Sequence, residues 1–281
     1  MSQATEVAPS AVARAEVPAL DDERVDRRRR LKRIGISTLS VVVFVLVWEA
    51  LTASGVINPA FFPSPSRMTA EATKLIASFE IFRHIGASTE RVLIGFGLSA
   101  LVAIPLGIAL GISPLLKAVA DPIVSIVRPL PSLSWIPLSI LWFGIGESQK
   151  YAIVFMGTVA PLLIYVTDAT LRVDPILVKA ARNLGATQLQ VMARVILPAA
   201  LPNILTGLKV SLALAWMCII SAEMVGASNG LGFLIWNAKD WANMPQVLVG
   251  MVAISLTVLI LDIVFRTLEN KLMPWKAHER K

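Results

Sequence analysis

From Ile34 onward the chain alternates long apolar runs with shorter polar interruptions. Six runs can be drawn, at about 34–52, 88–112, 122–143, 151–168, 203–226 and 247–266. Each is close to the ~20 residues a helix needs to cross a ~30 Å hydrocarbon core. Membrane-crossing strands would show ~10-residue stretches of alternating polarity instead. The pattern therefore predicts an all-α, polytopic membrane bundle of six transmembrane helices. Residues 1–33 lack apolar periodicity and end in the basic cluster DRRRRLKR, the composition of a disordered tail. That cluster and the run after it imitate a secretory signal, but the polar lead is too long and no A-x-A site follows. The domain organisation expected is a tail at 1–33, a membrane domain at 34–268 and a second tail at 269–281.

The interruptions carry patterns of their own. After the turn-rich FPSPS at 62–66, Met68, Ala72, Leu75, Ile76 and Phe79 recur at helical spacing, which predicts an amphipathic helix lying on the membrane face or packing on the bundle. In the second run, Gly95, Gly97, Ala103, Gly107 and Gly111 place small residues where helices can approach closely, with GxxxG at 107–111. That motif serves helix packing in the first instance and dimerisation in the second. The third run contains RPLPSLSWIPLSILWFG, in which Pro129, Pro131 and Pro137 each remove a backbone donor and obstruct the preceding turn. A broken helix at membrane depth is tolerated where it faces protein or a water-filled cavity, so this run is a candidate pathway element.

The longest polar interruption, KAARNLGATQLQVMARVILPAALP at 179–202, is the most informative. Asp174-Pro175 has N-cap and first-turn chemistry, and Gly185 suits a left-handed helix end. Thr187 can cap a second helix in which Leu189, Met192, Ala193 and Ile196 form an apolar stripe toward the bundle, with Pro198 stopping it. Connections in bundles usually take 2–8 residues, whereas this one occupies about 172–200. A helix-turn-helix that docks a soluble partner is expected.

Composition sharpens the picture. Of 281 residues 56% are hydrophobic and 16% charged, against roughly 25% charged in soluble domains, and the mean hydropathy is +0.70. The net charge of +7 does not signal nucleic acid, because the basic residues flank apolar runs and do not form one face with interleaved aromatics. They set topology instead. With the N-terminus inside, the external segments hold only Arg67, Lys74, Arg83, Lys150 and Lys239, so both termini and the docking segment are expected in the cytoplasm. One cysteine, Cys218, excludes an internal disulfide, and two histidines, His84 and His278, without HExxH give no zinc hydrolase signature. No metal site is expected. There is no GxxxxGK[ST] to cradle nucleotide phosphates.

Charges inside the runs are the remaining candidates, since a centred Arg costs roughly 2.5–3.5 kcal/mol on insertion scales. Arg128 precedes the proline-rich break and could attract a small-molecule anion, or its side chain could snorkel to the cytosol. Glu223 is expected to have an inter-helix partner or to act at a gate, Asp262 to pair with a neighbouring helix, and Arg91 to anchor near the outer boundary.

Ala180-Ala181, three residues, Gly185, nine residues, then Val195-Ile196-Leu197-Pro198 resembles the EAA loop of permease subunits in bacterial ABC importers. Lys179 stands where that family has Glu, a reversal of charge, and Val195 where it has Ile. The resemblance covers residues 34–276, and the stretches 128–148 and 222–238 look like the branch that imports nitrate, sulfonates and taurine. It implies the type I importer permease fold, a bacterial inner-membrane location and a pathway for a small anion or sulfonate-type solute. It further implies two permease copies with two cytoplasmic ATPase subunits, which use the ATP and Mg while this chain binds no cofactor, and an external solute-binding protein. The rival is a secondary active transporter of small anions, which could also use broken helices and buried charges. No internal repeat supports it, and it would not account for the spaced docking loop.

Overall fold

The computed structural model describes residues 20–58 and 60–273, and among these every regular element is helical. The chain divides into two units, one ending at Ile57 and one beginning at Asn58.

The first unit is a single helix, α1 (Leu20–Ala53), of which Gly35–Ala53 is apolar enough to cross a membrane. The crossing segment agrees with the predicted run to within a residue, but the helix starts well before it. Residues 20–33, read from composition as disordered tail, have helical backbone. The reason is local: Leu, Glu, Arg and Lys are strong helix formers, and extending an existing helix avoids the cost of nucleating one. Residues 1–19 and 274–281 of the expected tails lie outside the described residues.

The second unit is built on three long helices, α3 (Glu80–Ile112), α6 (Glu147–Leu171) and α9 (Leu197–Glu223), against which the others pack. Helices α3 and α6 approach very closely because small residues line the seam. A Cβ added at Gly95 would lie 2.6 Å from the Cβ of Val154, and one at Gly107 2.7 Å from that of Val166. The GxxxG motif is thus spent inside the chain. On the other face of α6, Gly207 of α9 sits equally tightly on Tyr165.

Helix α2 (Pro65–Ala77) starts where the turn chemistry placed it, with Ser64 as N-cap and Pro65 in the first turn. It buries Leu75, with Met68 and Ala72 beside it, on the core formed with α3 and α11 (Met244–Leu272), while Ile76 and Phe79 remain exposed. This is the behaviour of a packing helix.

The third predicted run is not one helix. It consists of α4 (Pro114–Val127) and a segment from Ser132 to Phe143, a 3₁₀ turn followed by α5 (Ile136–Phe143), and the two meet at 90°. Pro129 and Pro131 lie in the corner, and Pro137 sits in the first turn of α5, where a missing N–H is harmless. The corner is seated on the core at Gly157, where an added Cβ would strike the sulfur of Cys218 and come within 3.2 Å of Ser132 Cβ. Among the described residues five helices, or six if the bent pair counts as one crossing, have the length and apolarity of membrane spans.

Candidate functional site

After α6 the chain forms a hairpin, α7 (Pro175–Asn183) then α8 (Gln188–Val191). Asp174 Oδ1 accepts the Ile176 N–H at 2.8 Å and Pro175 fills the first turn. At the other end Gly185, at φ +81°, closes a Schellman turn in which the Ala186 N–H donates to Ala181 O and the Gly185 N–H to Arg182 O. Thr187 and Gln190 then form a reciprocal capping box. Two helix ends separated by four residues are thus both capped, which makes the corner stiff.

Two expectations for the second limb are corrected. Pro198 does not stop the helix: α8, a π turn at Met192–Ile196 and α9 run on as one helical path from Gln188 to Glu223. The wider turn, with the Leu197 N–H donating to Met192 O, makes room for the proline ring where an α-helical turn would clash. That bulge also rotates the apolar face. Val191 and Ile196 are buried with Met192 and Val195 partly so, whereas Leu189 and Ala193 from the expected stripe are exposed.

The exposed face of the hairpin is unusually apolar for a polar segment. Leu184 is 88%, Leu189 72% and Ile176 69% exposed. Lys179 and Ala180 are exposed, Ala181 is half-buried against the hairpin, and Leu197 and Pro198 lie at its base on the surface.

At the opposite end of α6 lies a second constellation. Glu223, 1% exposed, accepts the Ser88 hydroxyl at 2.8 Å, an Arg91 N–H at 2.8 Å and the Gly232 backbone N–H at 2.9 Å. Arg91, 3% exposed, also grips Glu147 with two N–H groups at 2.6 and 2.7 Å and donates to both the backbone and the side-chain oxygen of Asn229. All of the guanidinium's nitrogens are engaged. Lys150, buried, donates to Glu147 and to Gly146 O. Two buried cations therefore face two carboxylates, the arrangement in which buried charge is tolerated.

The turn after α9 closes over this cluster, and glycine permits it. Gly230 has φ +114°, and a Cβ there would collide with the Glu223 carboxylate. Its N–H donates to His84 Nδ1 at 2.9 Å, and the next N–H, of Leu231 at the start of α10 (Leu231–Asp240), donates to Ser88 Oγ at 2.8 Å. Side chains of α3, α6 and α9 and the backbone of the turn are thus tied together by one network.

The predicted pathway residues are divided between the two ends. Glu223 belongs to the network, whereas Arg128 is exposed at the end of α4, in a cavity of about 180 Å³ lined also by Lys117, Asp121 and Asp168. Pro129 and Pro131 occupy the corner between α4 and α5, and Pro137 the first turn of α5. Arg91 is not a boundary anchor but the hub of the network, because acceptor groups of three residues, Glu147, Glu223 and Asn229, replace its water. Asp262 pairs with Arg266 of its own helix at 3.3 Å, one turn away on an exposed face, and not with a neighbour. Sequence reasoning missed His84, Ser88, Glu147 and Asn229. The signal available was the recurrence of His84, Ser88, Arg91 and Gly95 along one helical stripe.

The chain is thus a multi-pass helical bundle with a capped hairpin between α6 and α9. The model of the binding-protein-dependent transport system inner membrane component family matches residues 103–275, and the chain belongs to that family. It is a permease subunit of an ABC importer. The taurine transport system permease protein TauC of Escherichia coli is 32% identical over 87% of this chain and 90% of its own. The putative aliphatic sulfonates transport permease protein SsuC of Bacillus subtilis is 33% identical over 95% and 97%, and the nitrate import permease protein NrtB of Leptolyngbya laminosa 30% over 69% and 70%. Among solved structures, inward-facing MetNI methionine ABC transporter shares the fold with a TM-score of 0.62 at 22% identity, over 69% of this chain and 96% of that one.

Proposed function

We propose that this chain forms the translocation pathway for a small sulfonate-type or related anionic solute, as taurine, alkanesulfonates or nitrate are for the named relatives. Two copies pair with two cytoplasmic ATPase subunits, and an external binding protein delivers the solute. The ATP and Mg belong to the ATPase, and this chain contributes no cofactor site. Both termini face the cytoplasm of a bacterial inner membrane, which puts the hairpin inside and the Arg91–Glu223 network at the outer end.

The observation that carries this reading is the hairpin itself: stiffly capped at Gly185, continuous through the π turn with α9, and presenting Leu184 and Leu189 to solvent. Lys179, Ala180, Ala181, Gly185, Val195, Leu197 and Pro198 form or support its docking surface. ATP binding closes the ATPase pair and moves the two hairpins as levers, and the rigid run from Gln188 to Glu223 transmits that motion to the far end of the bundle. Such a switch requires a ligand with different affinity for two states of the bundle. Co-purification with the ATPase, followed by sulfonate uptake into proteoliposomes with and without ATP, tests the reading. Uptake driven by an ion gradient alone would contradict it.

A further inference from the structure

Beside the network, at the same end of the bundle, lies a polar pocket of about 270 Å³. His84 stands at its base with 8% of its side chain exposed. Its Nδ1 accepts the Gly230 N–H, so in the neutral ring the proton sits on Nε2. That Nε2–H faces the Glu80 carboxylate, whose nearest oxygen is 3.7 Å away. Asn229 also lines the pocket. Both of its oxygens are committed to Arg91, which leaves its NH₂ group as a donor. Arg83 on the rim forms no ion pair among the described residues, and Ser228 adds a hydroxyl. The pocket also holds one carboxylate, Glu80, next to the imidazole, and one apolar wall, the Phe233 ring, 6.0 Å from the imidazole.

We propose that this pocket is an entry subsite for a small zwitterion, an oxyanion group and an ammonium separated by a few carbons, as in an aminosulfonate. The oxyanion faces Arg83, the Asn229 amide and Ser228, the ammonium faces Glu80, which His84 Nε2–H holds in place, and the methylenes lie on Phe233. The network gains a role by this assignment, since Arg91 sets the Asn229 amide and the turn at Gly230 sets the histidine tautomer. The inference rests on the proposed import of sulfonate-type solutes and on this end facing outward.

The test uses the full chain with its ATPase in nanodiscs and two probes, 2-aminoethanesulfonate and ethanesulfonate, with binding followed by saturation-transfer NMR. The wild type binds the amino compound about tenfold more tightly, the margin of one charge-assisted contact. Glu80→Gln removes that preference, and Arg83→Gln weakens both probes by about tenfold; both residues are exposed, so neither change threatens folding. Equal binding of the two probes to the wild type, or binding indifferent to both substitutions, overturns the subsite. ATP-driven sulfonate uptake is measured in parallel. Uptake without the binding pattern sinks the subsite and spares the importer reading, whereas the binding pattern without uptake does the reverse.

Discussion

Arg91 and Glu223 stand 132 residues apart in the chain and are joined by a 2.8 Å hydrogen bond between two side chains almost without solvent exposure. Removing Arg91 strands Glu223 as a buried charge, at a cost of about 3–5 kcal/mol, whereas replacing both with apolar groups costs far less; removing Glu223 alone still leaves Arg91 its pair with Glu147. Arg91→Met is expected to lower the thermal unfolding midpoint of the purified protein strongly, and Arg91→Met combined with Glu223→Leu to recover most of the loss. A double substitution as damaging as the sum of its parts would show that the pair is not coupled.

The seam between α3 and α6 predicts a contrast between two glycines. Gly107→Ala must push Val166 away and is expected to destabilise the bundle. Gly97→Ala meets nothing within 4 Å and should be neutral or gain up to about 1 kcal/mol from helix propensity. Thermal unfolding of the two variants side by side checks the order, and equal effects would count against the close contact.

At the hairpin, Gly185→Leu forces a branched side chain into φ +81°, a conformation costing roughly 1–3 kcal/mol. Membrane insertion should be unchanged, as assayed by membrane fractionation, while solute-stimulated ATPase activity falls. Full stimulation in this variant would remove the lever from the mechanism.

Leu184→Asp and Leu189→Asp alter only exposed positions, so the bundle's own stability should change little. Each should nevertheless reduce recovery of the ATPase in a pull-down from detergent. Lys179→Glu, restoring the charge the family carries there, should leave recovery intact or raise it. Recovery unchanged by both aspartates would place the docking surface elsewhere.

Elements with a strong local signal are legible in the amino-acid sequence. Asp174-Pro175, Gly185 and Thr187 determine their own backbone geometry and act as expected, and Gly35–Ala53 is long and apolar enough to be read at sight. What the sequence conceals depends on partners remote along the chain. Nothing around Arg91 says that Glu147, Glu223 and Asn229 will surround it, so a buried hub resembles a boundary anchor. Pro198 reads as a helix stop, but its usual effect is cancelled by a π turn, which leaves no compositional trace. The bend at Pro129 and Pro131 is legible as a break but not as a right angle, since its direction is fixed by the fit of Ser132 against Gly157 and Cys218.

The central claim is that the hairpin between α6 and α9 is the contact through which an ATPase drives the bundle. Cys218 is buried, so a cysteine placed at exposed Leu184 is the one reactive thiol expected in the chain. Short-range crosslinking of Leu184→Cys in the reconstituted importer should join it to the ATPase subunit, with a yield that changes when ATP is added. Labelling of that position by a membrane-impermeant thiol reagent from outside the cell, or no crosslink to the ATPase in either nucleotide state, would contradict the account.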